Sequence, residues 1–140
     1  MKKFLLLFLL LFFYTTQILT DISLNCFMTA MNTNTEDEKG KFNIKREELI
    51  PSQFSAIIEI TSPGKVIGRL IGTTDTGNIP GPYVGTMDDS KLIMNHKRRK
   101  LDERGHDFIL DLISGRFEKN VYVFDKYWWF QNTGTCKVVD

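Results

Sequence analysis

The sequence predicts an all-β protein, a small single-domain antiparallel barrel or sandwich of about seven or eight strands with a C-terminal three-stranded meander. Three observations support this fold class. Apolar and polar residues alternate with the two-residue period of half-buried strands, turn-forming residues separate the alternating segments, and the two cysteines stand near opposite ends of the chain. No helical period is sustained along the sequence.

The N-terminal residues have the pattern of a secretory signal peptide. Lys2 and Lys3 precede an unbroken apolar run from Phe4 to Tyr14, after which the chain becomes polar. A spanning helix needs about 20 apolar residues, so the run is too short to favour a retained membrane anchor. We therefore expect residues 1–20 to be a cleaved signal peptide and residues 21–140 to form one domain. The mature protein is expected to be periplasmic or extracellular, with no stable membrane span.

The charge of the mature chain gives no reason to expect nucleic acid as a partner. Removing Lys2 and Lys3 from the 18 basic residues leaves 16 beside 17 acidic residues, a formal net charge of −1. The basic cluster at 96–100, "HKRRK", is followed at once by "LDERGHD", so neighbouring acids offset most of its charge. The cluster is typical of a solvated turn, and the alternative is a docking patch for a phosphate, a sulfated sugar or an acidic partner.

Cys26 and Cys136 are the only cysteines of the chain. In an oxidising compartment such a pair is predicted to form a disulfide bond. The bond would enclose most of the domain and restrict the unfolded chain, which is worth about 4–5 kcal/mol as an upper estimate. It would also hold the first and last strands close together, which favours a closed or nearly closed sheet.

The first half of the domain predicts a strand, a loop and a hairpin. Apolar residues occupy every second position from Ile22 to Ala30, and the polar segment "NTNTEDEKGK" at 32–41 is predicted to be a loop. Residues 62–64, "SPG", are predicted to form the tip of the hairpin that follows. This turn sets Ile60 opposite Val66, Ile58 opposite Gly68 and Ala56 opposite Leu70.

Three shorter segments complete the prediction of secondary structure. "KLIMNH" at 91–96 is predicted to be a short strand. "KREEL" at 45–49 and "RRKLDER" at 98–104 are each predicted to form no more than a turn or two of helix.

Residues 107–136 are predicted to form the meander, with turns at 114–115 and 125–126. The first turn sets Leu112 opposite Phe117, Leu110 opposite Lys119 and Phe108 opposite Val121. The second sets Val123 opposite Trp128 and Val121 opposite Phe130. Because side chains alternate between the faces of a strand, one face becomes apolar, with Lys119 as its only polar member. That face holds Phe108, Leu110, Leu112, Phe117, Val121, Val123, Trp128 and Phe130, and Cys136 joins it if the last strand is unbroken.

The opposite face of the meander collects four aromatic side chains, which we predict to form a ligand-binding site with Arg116 as a polar contact. Trp128 and Trp129 cannot both enter one core from one strand, so Trp129 is either covered by a loop or another strand or contacts a ligand. Stacked Tyr and Trp rings suit a sugar, an apolar chain or a protein partner, because each ring has a flat apolar face and a polar edge. The four aromatic residues are Tyr122, Phe124, Tyr127 and Trp129.

Asp75, Thr76 and Gly77 form the triplet that carries the attacking carboxylate in aspartic proteases. The chain resembles that family in these three letters only, because Thr73 and Thr74 stand where the family has apolar residues and its supporting apolar-apolar-glycine segment does not follow. A short motif without its context carries little weight, and Asp and Gly are common turn residues. We interpret the triplet as a turn. An aspartic-type hydrolase that uses Asp75 is kept as a remote functional hypothesis, beside the two hypotheses given at the end of this section.

No other pattern in the sequence predicts catalysis or metal binding. His96 and His106 have no second ligand pair at metal spacing, and we interpret them as polar loop histidines. A serine nucleophile motif and a phosphate-binding glycine loop are both absent from the sequence. We therefore predict that the protein is not an enzyme and binds no cofactor and no metal.

In size and in its bridged C-terminal strand, the chain resembles lipocalin-like barrels. The G-x-W signature expected near the first strand of that family is absent, so the resemblance concerns the architecture only. The first functional hypothesis is a non-catalytic binding module whose aromatic residues bind a small molecule, a glycan or a protein. The second is a structural, envelope-associated protein that uses the same residues as an assembly surface.

Overall fold

The protein is an eight-stranded antiparallel β-barrel, which confirms the predicted all-β class. The computed structural model describes residues 21–72, 82–96, 105–123 and 128–139. Each strand pairs with its neighbour in chain order, and β1 pairs with β8 to close the sheet into a ring. The strands are β1 Ile22–Glu36, β2 Phe42–Ser62, β3 Lys65–Ile71, β4 Tyr83–Met87, β5 Lys91–His96, β6 Gly105–Asp111, β7 Arg116–Val123 and β8 Trp128–Val138.

The predicted signal peptide at 1–20 and the segment "RRKLDER" lie outside the described residues. Among the residues that the structure describes, no helix is long and apolar enough to cross a membrane.

Neighbouring strands run in opposite directions, so the connections between them lie alternately at the two ends of the barrel. Short turns at 63–64, 88–90 and 112–115 connect strands at one end, the turn end. The β1–β2 hairpin, with its turn at 37–41, stands at the opposite end, which we call the arm end. The position of a residue along its strand therefore shows whether it lies near the turn end or near the arm end.

The barrel interior is a packed apolar core. Phe54, Phe108 and Phe117 form its aromatic centre, with ring centroids 5.3 to 6.3 Å apart. Burying a side chain of this size stabilises the fold by about 1.5–3 kcal/mol. The other members of the core are Leu24, Cys26, Met28, Ala56, Ile58, Val66, Tyr83, Leu92, Met94, Leu110 and Cys136.

The predicted disulfide bond is present between Cys26 and Cys136. The two residues lie directly opposite each other on β1 and β8, with their Cα atoms 4.0 Å apart. The bond therefore joins the two strands whose pairing closes the ring, and the prediction that the first and last strands are adjacent is confirmed.

The predicted loop at 32–41 is wrong for residues 32–36, because β1 continues to Glu36, and is confirmed for residues 37–41, which connect β1 to β2 at Phe42. Only the turn between them is irregular, and there the carboxylate of Asp37 accepts the backbone N–H groups of Lys39 and Lys41, both at 2.9 Å. Residues 45–49 are likewise part of β2 and not helical. Pairing with β1 supplies hydrogen bonds to these polar residues, and that tertiary contact outweighs their low strand propensity.

A β-bulge in β1 explains which side chains face outward near the arm end. The register of β1 with both neighbours shifts between Met28 and Ala30. Before the shift, even-numbered residues such as Cys26 point into the core, whereas Asn32 and Asn34 after it lie opposite outward-facing residues of β8. The bulge therefore moves polar side chains of β1 to the outer surface.

The β2–β3 hairpin has the predicted register. Ile60 pairs with Val66, Ile58 with Gly68 and Ala56 with Leu70. Pro63 and Gly64 form the turn, and Gly64 has a φ of 73°, which glycine adopts at low cost. The predicted strand at 91–96 is also confirmed, as β5.

In the meander, the register of the first hairpin differs from the prediction by two residues. Leu110 pairs with Phe117 and Phe108 with Lys119, since the turn spans 112–115 and not two residues. The carboxylate of Asp111 accepts the N–H groups of Ile113 and Ser114 and stabilises this wider turn. Leu112 consequently lies exposed in the turn instead of on the apolar face.

A shift of two residues preserves the faces of the strands, because side chains alternate with a period of two. Phe108, Leu110, Phe117 and Val121 are all buried, as predicted. In the second hairpin, Val123 pairs with Trp128 and Val121 with Phe130, which confirms the predicted register.

The backbone of β1 approaches β8 closely at Gly134. A Cβ atom added there would overlap the backbone carbonyl of Phe27 and touch the ring of Phe117. We expect Gly134→Ala to lower the free energy of unfolding by about 1–2 kcal/mol, because a carbonyl of a paired strand has little freedom to move. Urea unfolding measures the change, and Thr135→Ala, at an exposed position of the same strand, is the control. Equal stability of both variants would contradict this account.

Candidate binding site

The predicted aromatic site lies on the outer surface of the barrel, towards its arm end. Tyr122 of β7 pairs with Trp129 of β8, so the two side chains are neighbours on the same outward face. Both are partly buried, and they are therefore neither an exposed platform nor a part of the core. Phe124 and Tyr127 lie outside the described residues.

Asp107 of β6 extends this face beside Tyr122. Burial raises the pKa of the Tyr122 hydroxyl, and the negative charge of Asp107, which also accepts its hydrogen bond, raises it further. The phenol is thus held neutral and oriented as a donor to the carboxylate. Its ring position is fixed, which lowers the entropy lost when a flat ligand stacks on it.

Asn34 of β1 is a candidate residue of this site that the sequence prediction missed. It pairs with Trp129 across the closing seam of the barrel and lies in the same row as Tyr122. The side-chain carbonyl oxygen of Asn34 is buried and has no hydrogen-bond partner among the described residues. An unsatisfied buried acceptor costs about 1–3 kcal/mol, and a hydroxyl or amide group of a ligand could satisfy it.

One step further from the arm end, amide side chains form a second row on the same face. Asn32 donates to Gln131 at 2.8 Å, and Gln131 donates to Glu118 at 3.4 Å. Asn120, which pairs with both Gln131 and Asp107, is almost completely buried. Each amide carries donors and an acceptor, so the row presents groups that match a ligand rich in hydroxyls.

A groove of about 930 Å³ continues down the same side of the barrel. Its wall includes Arg46, Lys91 and Arg116 as cations and Asp111 and Glu118 as acids. The remaining lining residues are mostly small or hydroxylated: Thr29, Ser114, Thr133, Gly134 and Thr135 with Ile109 and Phe117.

The acids of this groove are already engaged within the protein. Backbone N–H groups of Ser114 and Ile113 bind the carboxylate of Asp111, and the bond from Ser114 contributes most to lowering its pKa below the usual range. Glu118 accepts the amide of Gln131. In contrast, the guanidinium of Arg116 has neither a hydrogen bond nor an ion pair with any described residue. Among the residues that the structure describes, Arg116 is therefore a cation of the groove without an acidic partner.

The predicted site is thus extended. Arg116 and Tyr122 lie six residues apart on β7, which is about 20 Å along a strand. They share the outer face but cannot contact one small ligand together. The structure brings Tyr122 and Trp129 together, adds Asn34, and places Arg116 at the distant end of a continuous polar surface.

A separate polar cluster lies inside the barrel near the arm end. His96 and His106 face each other on β5 and β6 with ring centroids 6.2 Å apart, so the interpretation of both as loop histidines is wrong. Tyr83 packs beside His96, and burial strongly raises the pKa of its hydroxyl. Within the described ranges, the structure contains no group of three or more residues that could hold a metal ion.

Comparison of the chain with protein-family models, with curated proteins and with solved structures found no match. Asp75, the residue of the hydrolase hypothesis, lies outside the described residues.

Proposed function

We propose that this protein is an exported, non-catalytic binding module that holds an extended acidic carbohydrate on the outer face of β6, β7, β8 and β1. The row formed by Tyr122, Trp129 and Asn34 carries the proposal, because two partly buried aromatic residues stand beside an amide oxygen that lacks a partner among the described residues. A sugar ring offers an apolar face to the aromatics and hydroxyls to the amide.

The length of the surface supports an oligosaccharide in preference to a single ring. The aromatic row continues into the row of Asn32, Gln131 and Asn120, and then into the groove that holds Arg116. Counted from the arm end, a ligand that spans this surface lies against the aromatic rings, then against the amides, and finally against the cation.

The charges of the groove support a ligand with a carboxylate or sulfate group. Arg116 is exposed and has no acidic partner among the described residues, whereas Asp111 and Glu118 are engaged. Arginine binds planar anions through paired N–H donors, a contact stronger than that between neutral groups. An uncharged oligosaccharide of equal length should therefore bind more weakly than an acidic one.

Fluorescence titration tests the proposal, because the chain has only two tryptophans. Trp128→Phe leaves Trp129 as the sole reporter, and we expect a heparin tetrasaccharide to shift or quench its emission. Maltotetraose serves as the uncharged comparison. If neither sugar changes the emission of Trp129, the proposed site is wrong.

Arg116→Gln is expected to weaken heparin tetrasaccharide binding about tenfold or more, since it removes a charge-assisted contact. The dependence of the affinity on salt should fall as well, because one ionic contact is lost. Arg69→Gln is the matched control, at an exposed arginine of β3, which lies across the ring from β7. Wild-type affinity in Arg116→Gln would show that the groove does not bind the anionic group.

A further inference from the structure

The aromatic row of the candidate site continues onto the β1–β2 hairpin. Asn34 of β1 pairs with Trp129 of β8 on one side and with Ile44 of β2 on the other. Directly opposite residues of antiparallel strands face the same side of the sheet, so the three side chains stand side by side on the outer face. We call Ile44, Asn34 and Trp129 the acceptor row. Since neighbouring strands are about 4.8 Å apart, the row is about 10 Å wide.

The hairpin is apolar only where it borders this row. Its paired segments 32–36 and 42–48 carry polar or charged residues at every position except Phe42 and Ile44. These two residues share one face because they are two positions apart, and they are 48% and 70% exposed. An exposed apolar surface therefore lies directly beside the amide of Asn34.

The acceptor row sets three conditions on a ligand. The buried carbonyl oxygen of Asn34 has no hydrogen-bond partner among the described residues and needs an N–H or O–H donor. Trp129 suits the flat apolar face of a sugar ring. Ile44 suits an apolar group, which a plain hydroxyl substituent does not supply. The donor must therefore stand between a ring on one side and an apolar group on the other.

An acetamido substituent on a sugar ring has these groups in this order. In a planar trans amide, the N–H and the methyl group lie on the same edge, whereas the carbonyl oxygen points away. With the ring on Trp129, the N–H can donate to Asn34 and the methyl group can cover Ile44. The carbonyl oxygen of the substituent stays in water, so no polar group of the ligand is buried without a partner.

A buried oxygen is reached only when a neighbouring side chain changes its rotamer, which is a common event when ligands bind. Ile44 is the most exposed member of the acceptor row. Its side chain is thus the one with most room to move, and the methyl group of the ligand would cover it afterwards.

Charge determines which end of an acidic ligand lies at the acceptor row. Glu36 pairs with Phe42 and stands on the same face, beyond Asn34 towards the tip of the hairpin. Its carboxylate disfavours a second negative group there, whereas Arg116 attracts one at the far end of the surface. The uncharged amino sugar is therefore expected at the arm end and the anionic group in the groove.

Building on the proposed carbohydrate-binding function, we propose that the acceptor row recognises the acetamido group of an N-acetylated amino sugar. The ligand is then an acidic oligosaccharide with such a sugar at the arm end. Asn34 accepts the N–H of the substituent, and Ile44 contacts its methyl group. Trp129 stacks on the ring that carries it.

Chitotetraose and cellotetraose form a matched pair of probes. Both are uncharged chains of equal length, and chitotetraose carries an acetamido group where each ring of cellotetraose carries a hydroxyl. Isothermal titration calorimetry measures the affinity of the protein for each. We expect the wild type to bind chitotetraose at least about fivefold more tightly, the effect of one buried methyl group and one satisfied acceptor.

Two variants test the residues of the acceptor row. Asn34→Ala is expected to bring the two affinities within about twofold of each other, because the acceptor is lost. Ile44→Ser is expected to lower the ratio about threefold, because the methyl group loses its apolar contact.

The matched controls are two exposed residues of β2 outside the row. Asn43→Ala changes the opposite face of the hairpin, and Ile57→Ser changes an isoleucine near the turn end. Both are expected to keep the wild-type ratio. Thermal melting followed by circular dichroism verifies that each variant is folded.

Titration with heparin tetrasaccharide separates this assignment from the proposed function. A wild-type protein that binds heparin tetrasaccharide but prefers chitotetraose less than about fivefold would overturn the acetamido assignment alone. Binding of none of the three sugars would overturn the carbohydrate-binding function as well. A preference for chitotetraose that persists unchanged in Asn34→Ala or in Ile44→Ser would also refute the assignment, since the acetamido group would then be recognised elsewhere.

Discussion

Replacing Cys26 and Cys136 together by alanine is expected to lower the free energy of unfolding by up to about 4–5 kcal/mol. The bond joins residues 110 positions apart, and a cross-link that closes so long a loop removes many conformations from the unfolded chain. The two residues are 0% and 7% exposed and belong to the core. Alanine avoids burying a polar group there, so the loss of the cross-link dominates the effect.

Urea unfolding of the oxidised wild type and of the double variant measures this difference. Intact mass with and without reductant establishes that the wild-type bond is formed before the measurement. Wild-type protein kept reduced should unfold at nearly the same urea concentration as the double variant. A loss of less than about 1 kcal/mol would contradict the assignment of a major stabilising role to the bond.

Lys119→Met is expected to raise the free energy of unfolding at pH 7 by up to about 3 kcal/mol. Lys119 points into the barrel and is only 1% exposed, and this burial lowers its pKa from 10.5 to about 8. A pKa difference of this size corresponds to about 3 kcal/mol of cost for the charged form. Lys119 also interacts with neighbouring groups, so the measured gain should fall below this limit. Methionine fills a similar volume without a charge.

The same residue predicts how stability depends on pH. Between pH 8 and 10.5 the unfolded chain binds the proton of Lys119 and the folded protein does not, so the stability of the wild type rises with pH in this range. The advantage of Lys119→Met should therefore be greatest below pH 8 and fall to a minimum above 10.5. Lys137→Met, at an exposed position of β8, is the control, and an advantage that is independent of pH would refute the explanation.

The sequence predicts the local geometry well where turn chemistry and alternation act together. Pro63 and Gly64 fix the β2–β3 turn, and the register of that hairpin follows from them. In the meander, alternation correctly assigns Phe108, Leu110, Phe117 and Val121 to the core, whereas Leu112 lies exposed because the first turn is wider than predicted. The extra turn residues depend on the hydrogen bonds of Asp111, which residue spacing alone does not reveal.

The sequence fails where contacts between distant strands decide the outcome. Residues 32–41 look like a loop by composition, yet half of them, residues 32–36, extend β1 because β2 and β8 pair with it. Asn34 was missed as a candidate site residue for this reason.

The alternation of Tyr122 and Trp129 correctly indicates a shared outward face. In contrast, no sequence pattern indicates that Arg116 would stand at the far end of a groove bordered by Arg46 and Lys91.

The pairing of β1 with β8 also governs when the fold can form during synthesis. The ribosome completes β1 first and β8 last, so the ring cannot close until nearly the whole chain has emerged. Until then β1 and the newest strand both expose open edges, which invite aggregation. Contacts between the two termini also slow folding, because a long loop must close before they form. A nascent chain that stops before β8 should therefore require chaperone protection instead of settling into a smaller stable barrel.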